Sequence, residues 1–147
     1  MIIEWQLIAR LAVAAVATSA VGIERSRRRQ FIGMRTFGLI GVGGAAAGVL
    51  SVHMGVSDPA ALSRVMQGML AGIGFLGAGV IVHPTWGRRT TGVTTAASIW
   101  VAAIVGFAAG LGEWWLTGVS VVLSLVLLLL PEPLAADEPD DDREKGL

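Results

Sequence analysis

Residues 69–82 read MLAGIGFLGAGVIV, a run of apolar residues and glycines without a single charge. Extended back to Arg64, the segment covers residues 64–82, which is long enough to cross the hydrocarbon core of a bilayer as a helix. A soluble domain of 147 residues would place polar side chains at most of its surface positions. In this chain the polar residues are bunched between long apolar runs, which predicts a membrane protein.

Similar apolar segments occur on both sides of this one. The other four segments that we predict to span the membrane are residues 6–21, 36–52, 94–111 and 114–130. The chain is 54% hydrophobic and has a mean hydropathy of +0.70, which agrees with this pattern. The predicted fold class is therefore all-α, a polytopic membrane protein with about five transmembrane helices in residues 1–130.

The end of the sequence differs sharply in composition. Residues 131–147 contain seven of the eleven acidic residues and three of the five prolines. Because this stretch has too little apolar surface to offset the entropy of ordering it, we predict a disordered acidic tail.

Positive charge is concentrated in two of the predicted links. Loops of this kind remain on the cytoplasmic side of a bacterial membrane. The N-terminus is then expected outside and the C-terminus in the cytoplasm, with Trp5, Trp114 and Trp115 at the outer interface, where amphipathic rings are favoured. The residues that set this orientation are Arg25, Arg27, Arg28, Arg29, Arg35, Arg88 and Arg89.

The glycines of the third segment admit more than one interpretation. Gly72, Gly74 and Gly77 match the G-x-G-x-x-G pattern, but that pattern indicates dinucleotide binding only between a strand and a helix of a soluble domain. Close helix packing, within the bundle or between subunits, is the favoured interpretation. A broken helix along a solute path is the alternative. The packing prediction covers Gly68, Gly72, Gly74, Gly77 and Gly79.

A few polar residues near the segment ends are candidates for a site. Arg10, about one turn inside the first segment, either extends to the interface or pairs with a carboxylate, with Glu113 or Asp58 as candidates. Glu24 is expected to pair with Arg25 at the interface or with an arginine elsewhere in the bundle, or the link that it begins is only a topology anchor. In the fourth segment, hydroxyls either bond to their own helix or form a polar site. That hydroxyl patch consists of Thr94, Thr95 and Ser98.

Several kinds of chemistry have no support in the sequence. The chain has no cysteine, so disulfides, thiolate catalysis and Cys-ligated metals are excluded. His53 and His83 are expected on opposite sides of the membrane, and no acid lies in the middle of a predicted span. We therefore predict no enzyme, no cofactor and no resident metal site, and a Mg²⁺ path would depend on backbone carbonyls and water.

Five motifs together carry a family resemblance. They are Glu24-Arg25, the run of residues 33–36 (GMRT), Asp58-Pro59, the run of residues 72–81 (GIGFLGAGVI) and the run of residues 92–100 (GVTTAASIW). In this order and spacing they resemble the transmembrane domain of the MgtC/SapB (YhiD) family of bacterial inner-membrane proteins. The resemblance covers about residues 1–130.

The resemblance implies a function that residue patterns alone do not indicate. Some members of the family support growth in low magnesium and survival inside host phagocytes, and one is linked to restraint of the F-type ATP synthase. We therefore expect a non-enzymatic accessory or regulatory protein of the inner membrane, with a small magnesium or other solute transporter or channel as the alternative. Its expected partners are the lipid bilayer, further copies of the chain and another membrane complex such as the ATP synthase, with no nucleic acid.

Weighted by the family motifs, seven residues are the candidate polar site. We expect Asp58 to act on the outer side as a cap or ligand and the other six to lie on the cytoplasmic side. The candidates are Glu24, Arg25, Arg35, Asp58, Thr94, Thr95 and Ser98. Many family members continue into a C-terminal ACT-like domain, whereas this sequence ends in the acidic tail.

Overall fold

The structure is a computed structural model that describes residues 2–27, 32–54, 58–81 and 91–130. These residues form five helices: α1 (Ile2–Arg27), α2 (Met34–His53), α3 (Pro59–Val80), α4 (Val93–Leu111) and α5 (Trp114–Leu129). The first four are long and apolar enough to cross a membrane, and α5 is a shorter apolar helix of 16 residues. The predicted all-α membrane fold is confirmed, while the predicted tail at residues 131–147 lies outside the described residues.

Helix α1 is longer than the apolar pattern predicts. It continues through Glu24 and Arg25 to Arg27, although the sequence places the start of a loop at Glu24. The two charged side chains form an ion pair with each other. The helix thus continues for four residues, about one turn, beyond Ile23, its last apolar residue.

Helices α1 and α2 pack antiparallel through small residues. A Cβ on Gly22 would lie 2.7 Å from the Cα of Met34, and a Cβ on Gly38 would lie 2.6 Å from the hydroxyl of Ser19. These contacts place the C-terminus of α1 beside the N-terminus of α2. The first two helices therefore form a tight hairpin.

Helices α2 and α4 run parallel in close backbone contact. A Cβ on Gly44 would lie 2.5 Å from the carbonyl oxygen of Ala103, and a Cβ on Gly48 would lie 2.6 Å from that of Phe107. In the opposite direction, a Cβ on Gly106 would collide with the backbone of Gly41. Small residues spaced four apart, which allow membrane helices to approach this closely, thus form the centre of the bundle.

Helix α4 is the most buried helix, and glycine ends it on both sides. Gly92 at its start and Gly112 at its end have φ angles of 90° and 89°, a left-handed conformation that other residues adopt at a cost. Near its start, Ile99 packs with Val21 of α1 and Leu128 of α5. Helix α5, which follows Gly112, therefore extends back to the level where α1 ends.

Helix α3 lies at the side of this core. Among its residues only Gly77 is buried, and a Cβ there would lie 3.7 Å from Ala96 of α4. Between α2 and α3 a groove of about 400 Å³ is lined mainly by glycines and apolar side chains, with Ala103 of α4 among them. The side of α3 that faces away from the bundle is open along most of its length.

The helix directions define two ends of the molecule. The ends of α1, α3 and α5 and the starts of α2 and α4 lie at one end, which we call the basic end because it carries Arg25, Arg27 and Arg35. The opposite end carries the exposed rings of Trp5, Trp114 and Trp115. The three tryptophans thus lie at the same end of the bundle, as predicted. The side of the membrane that each end faces stays a prediction.

Candidate polar site at the basic end

The centre of the candidate site is a buried ion pair. Arg25 Nε donates to Glu24 Oε2 at 3.1 Å, and their side chains are only 5% and 11% exposed. Two opposite charges are removed from solvent together here, which is tolerated only when they remain paired and hydrogen-bonded. The predicted pairing of Glu24 with an arginine is therefore observed, and its partner is the next residue in the chain.

The pair lies in the same layer as the buried hydroxyls of α4. Arg25 is one helical turn beyond Val21, and Thr95 is one turn before Ile99, while Val21 and Ile99 share a core cluster. Since α1 and α4 run in opposite directions, Arg25 and Thr95 lie on the same side of that cluster. Arg25, Thr95 and Ser98 are thus buried within about one helical turn of that cluster, and the partly buried Glu24 lies next to Arg25.

Ser98 bonds to its own helix. Its hydroxyl donates to the carbonyl oxygen of Thr94 at 2.7 Å. Thr18, Ser51 and Thr117, also buried, donate in the same way to the carbonyl four residues earlier. Of the two interpretations of the hydroxyl patch, the structure shows for Ser98 a hydrogen bond to its own helix. Thr94 is exposed at the start of that helix.

Arg35 lies near this layer but on the surface. It follows the first residue of α2, where the Oγ of Ser26 accepts a hydrogen bond from the Met34 N–H at 3.2 Å and donates to the Gly22 carbonyl at 3.0 Å. The serine thus ties the end of α1 to the start of α2. Arg27 and Arg35 are both exposed on either side of this junction.

Asp58 is separated from the other six candidates by the length of the bundle. It is the N-cap of α3, where its Oδ1 accepts from the Ala60 N–H at 2.9 Å, with Pro59 as the first helical residue. Its other oxygen lies 3.8 Å from Arg64, in an exposed pair. Asp58 thus caps a helix as predicted, at the end opposite to the buried pair, while the side of the membrane that this end faces stays a prediction.

Arg10 has a partner that the sequence did not indicate. Its Nη1 donates to the carbonyl oxygen of Gly110 at 2.8 Å, in the last turn of α4. A Cβ on Gly112 would lie 3.0 Å from the same guanidinium. A cation here satisfies a carbonyl of the helix end and complements the helix dipole. A backbone carbonyl leaves no mark in a sequence, so the sequence indicates only carboxylates as partners for Arg10.

The glycines singled out in the third segment are mostly open to the surroundings. Of the five, Gly77 alone contacts another helix, through Ala96. A Cβ added to any of the other four would meet no heavy atom within 4 Å, and these are Gly68, Gly72, Gly74 and Gly79. The close packing inside the chain uses the glycines of α2 and α4 instead, whose four-residue spacing was the available signal. Packing of α3 against another chain stays a prediction.

The comparisons with known proteins agree on one family. The model of the MgtC family matches residues 11–136. Protein SrpB of Synechococcus elongatus is 39% identical over 129 residues, which are 81% of this chain and 71% of that protein. The putative magnesium transporter YhiD of Escherichia coli K12 is 39% identical over 133 residues, or 84% of this chain and 59% of YhiD.

A third relative is more distant. Protein MgtC of Salmonella typhimurium LT2 is 36% identical over 107 residues, which are 73% of this chain and 44% of that protein. No solved structure matches the chain. The chain spans well under two thirds of YhiD and MgtC. The family match over most of its length, together with its apolar helices, shows that this chain is a multi-pass membrane protein belonging to the MgtC family.

Proposed function

We propose that this chain is a non-enzymatic accessory protein of the bacterial inner membrane that supports growth in low magnesium by acting on another membrane complex. The link to magnesium rests on the family and on the name of the relative YhiD. The choice of an accessory role rests on one structural observation, the outward face of α3.

That face is suited to a partner inside the bilayer. Phe75 is 81% exposed, and Gly79, one turn further along the helix, faces open space. Glycine lowers helix propensity by about 1 kcal/mol per residue in water. Small residues on a membrane helix let a second backbone approach closely, which offsets that cost. Another membrane complex, with the ATP synthase as the example that the family resemblance supplies, or a second copy of the chain would meet α3 on this face.

A small Mg²⁺ transporter is the second candidate, favoured by the groove between α2 and α3. Its lining includes Gly43, Gly68 and Met69, and Thr36 is its one hydroxyl side chain. Mg²⁺ retains several waters and prefers octahedral oxygen ligands. Walls with so few oxygen atoms hold such an ion poorly, which places the accessory role first.

Complementation in low magnesium tests the accessory role. A bacterium that lacks its own family member and grows poorly in low magnesium would receive the wild-type chain, Gly79→Leu or Gly118→Leu. Both glycines lie on the helix surface with nothing within 4 Å, but Gly118 is on α5. We expect Gly79→Leu to fail and Gly118→Leu to restore growth, at equal membrane levels. Equal growth with both variants would contradict a role for the α3 face.

Flux into proteoliposomes separates the two candidates. We expect Mg²⁺ entry into vesicles holding the wild-type protein to equal entry into protein-free vesicles. Saturable entry that is lost in Gly43→Leu, a change that fills the groove, would instead establish the transporter. Gly74→Leu is the matched control, because Gly74 faces open space away from that lining.

A further inference from the structure

The acidic tail and the basic end lie on the same side of the membrane. Leu128, in the last turn of α5, packs in one cluster with Val21 of α1 and Phe37 of α2. The tail therefore leaves the bundle at the level where α1 ends and α2 begins. This placement holds whichever side of the membrane that end faces.

The acidic tail and the basic end carry opposite charges. Residues 131–147 hold seven acids and two bases, a net charge of −5. The stretch from Arg27 to Arg35 holds four arginines and no acid, and the link between α3 and α4 adds Arg88 and Arg89. Arg25 is already neutralised by Glu24, whereas Arg27 and Arg35 are exposed. The exposed charges that the structure describes at this end, Arg27 and Arg35, are thus both positive.

The tail is long enough to reach this charge. Seventeen residues span at most about 56–61 Å when fully extended. Three helix diameters amount to roughly 30–36 Å. Residues 140–144, which hold four of the acids, lie 10 to 14 residues beyond Leu130 and extend about 33–50 Å from it, so Arg27 and Arg35 are within their reach.

We propose that residues 131–147 dock on the basic end through the exposed Arg27 and Arg35, shielding it from anionic lipid headgroups. The interaction is electrostatic and close to the aqueous phase, so salt weakens it. The Debye length falls from about 30 Å at 0.01 M to about 3 Å at 1 M ionic strength. The docking is independent of the accessory role proposed above, because it concerns a different end of the molecule from the α3 face.

Energy transfer between two dyes tests the docking in the full chain. Because the chain has no cysteine, Thr36→Cys at the basic end and Ala135→Cys in the tail give a labelled pair. In phosphatidylcholine nanodiscs we expect the transfer efficiency to fall at least about twofold between 0.01 M and 1 M salt. A control pair, Met54→Cys with Ala135→Cys, reports from the opposite end and should not lose efficiency with salt.

Two charge variants and one change of lipid complete the test. Asp140→Asn, Asp141→Asn and Asp142→Asn together, or Arg27→Gln with Arg35→Gln, should lower the efficiency at 0.01 M salt and remove most of its salt dependence. An efficiency that is the same at both salt concentrations and in both variants would overturn the proposal. The proposal would also be overturned if phosphatidylglycerol, added at low salt, lowered the transfer efficiency to the value of the Asp→Asn variant. The lipid headgroups, and not the tail, would then occupy the arginines.

Discussion

Arg10 and Gly110, one hundred residues apart, are joined by a 2.8 Å hydrogen bond from the guanidinium of α1 to a carbonyl oxygen in the last turn of α4. The bond connects the first helix of the bundle to its most buried one at the end opposite to the buried ion pair. It gives an arginine inside an apolar segment a structural role.

Replacing Arg10 should therefore weaken the fold. In Arg10→Leu the Gly110 carbonyl loses a charged donor, a change that costs about 1.5–3 kcal/mol. Arg10→Lys keeps a cation beside the helix end and should lose less. Thermal unfolding in detergent would compare the two, and equal midpoints for Arg10→Leu and the wild type would contradict this role.

The parallel contact between α2 and α4 should not tolerate a single methyl group. In Gly106→Ala the new Cβ collides with the backbone of Gly41, and overpacking of this kind costs about 1–3 kcal/mol. Gly74→Ala is the matched control, since its Cβ meets nothing and alanine favours the helix. We expect a lower free energy of unfolding for Gly106→Ala and an unchanged or higher one for Gly74→Ala, measured side by side in denaturant. The reverse order would show that the contact is looser than described.

The buried pair of Glu24 and Arg25 should behave as a unit. Removing one partner of a buried ion pair leaves an uncompensated charge and costs about 3–5 kcal/mol. Glu24→Gln and Arg25→Gln should each be strongly destabilising, and the double variant should be less destabilised than the sum of the two. A double-mutant cycle on unfolding free energies measures this coupling. Additive effects would mean that the two charges are stabilised separately.

The orientation of the chain can be read by cysteine labelling. Ser57→Cys and Gln30→Cys place single thiols in links at opposite ends of the bundle. The arginine-rich links predict that an impermeant maleimide labels Ser57→Cys in intact cells and reaches Gln30→Cys only after lysis. The opposite pattern would invert the predicted topology.

Sequence reasoning succeeded where the bilayer dictates the pattern. Four of the five helices begin or end within a few residues of the predicted segments, because apolar length is the main requirement for crossing. It missed the end of α1, because a charged pair such as Glu24 and Arg25 resembles a loop unless its mutual neutralisation is known. The sequence also predicts close packing at the glycines of α3, whereas the close contacts within the chain are made by those of α2 and α4. The number of glycines in a segment does not reveal which face of the helix meets a neighbour.

The candidate site was predictable only in part. Thr95 and Ser98 lie in α4 as the sequence predicts, and Asp58 caps α3 as its Asp-Pro pair indicates, whereas Glu24 and Arg25 lie in α1 and not in the predicted loop. The partner of Arg10 was not predictable, because it depends on a backbone carbonyl that only the folded bundle brings near.

The parallel direction of α2 and α4 also sets an order of assembly. A returning helix must cross the bilayer between them, so Gly44 cannot meet the Phe107 backbone until about 63 more residues have been made. At about 5–20 residues per second, the interval is about 3–13 s. During that time the glycine face of α2 is covered by lipid, by α1 or by the insertion machinery, and the most compact contact of the finished protein is among the last to form.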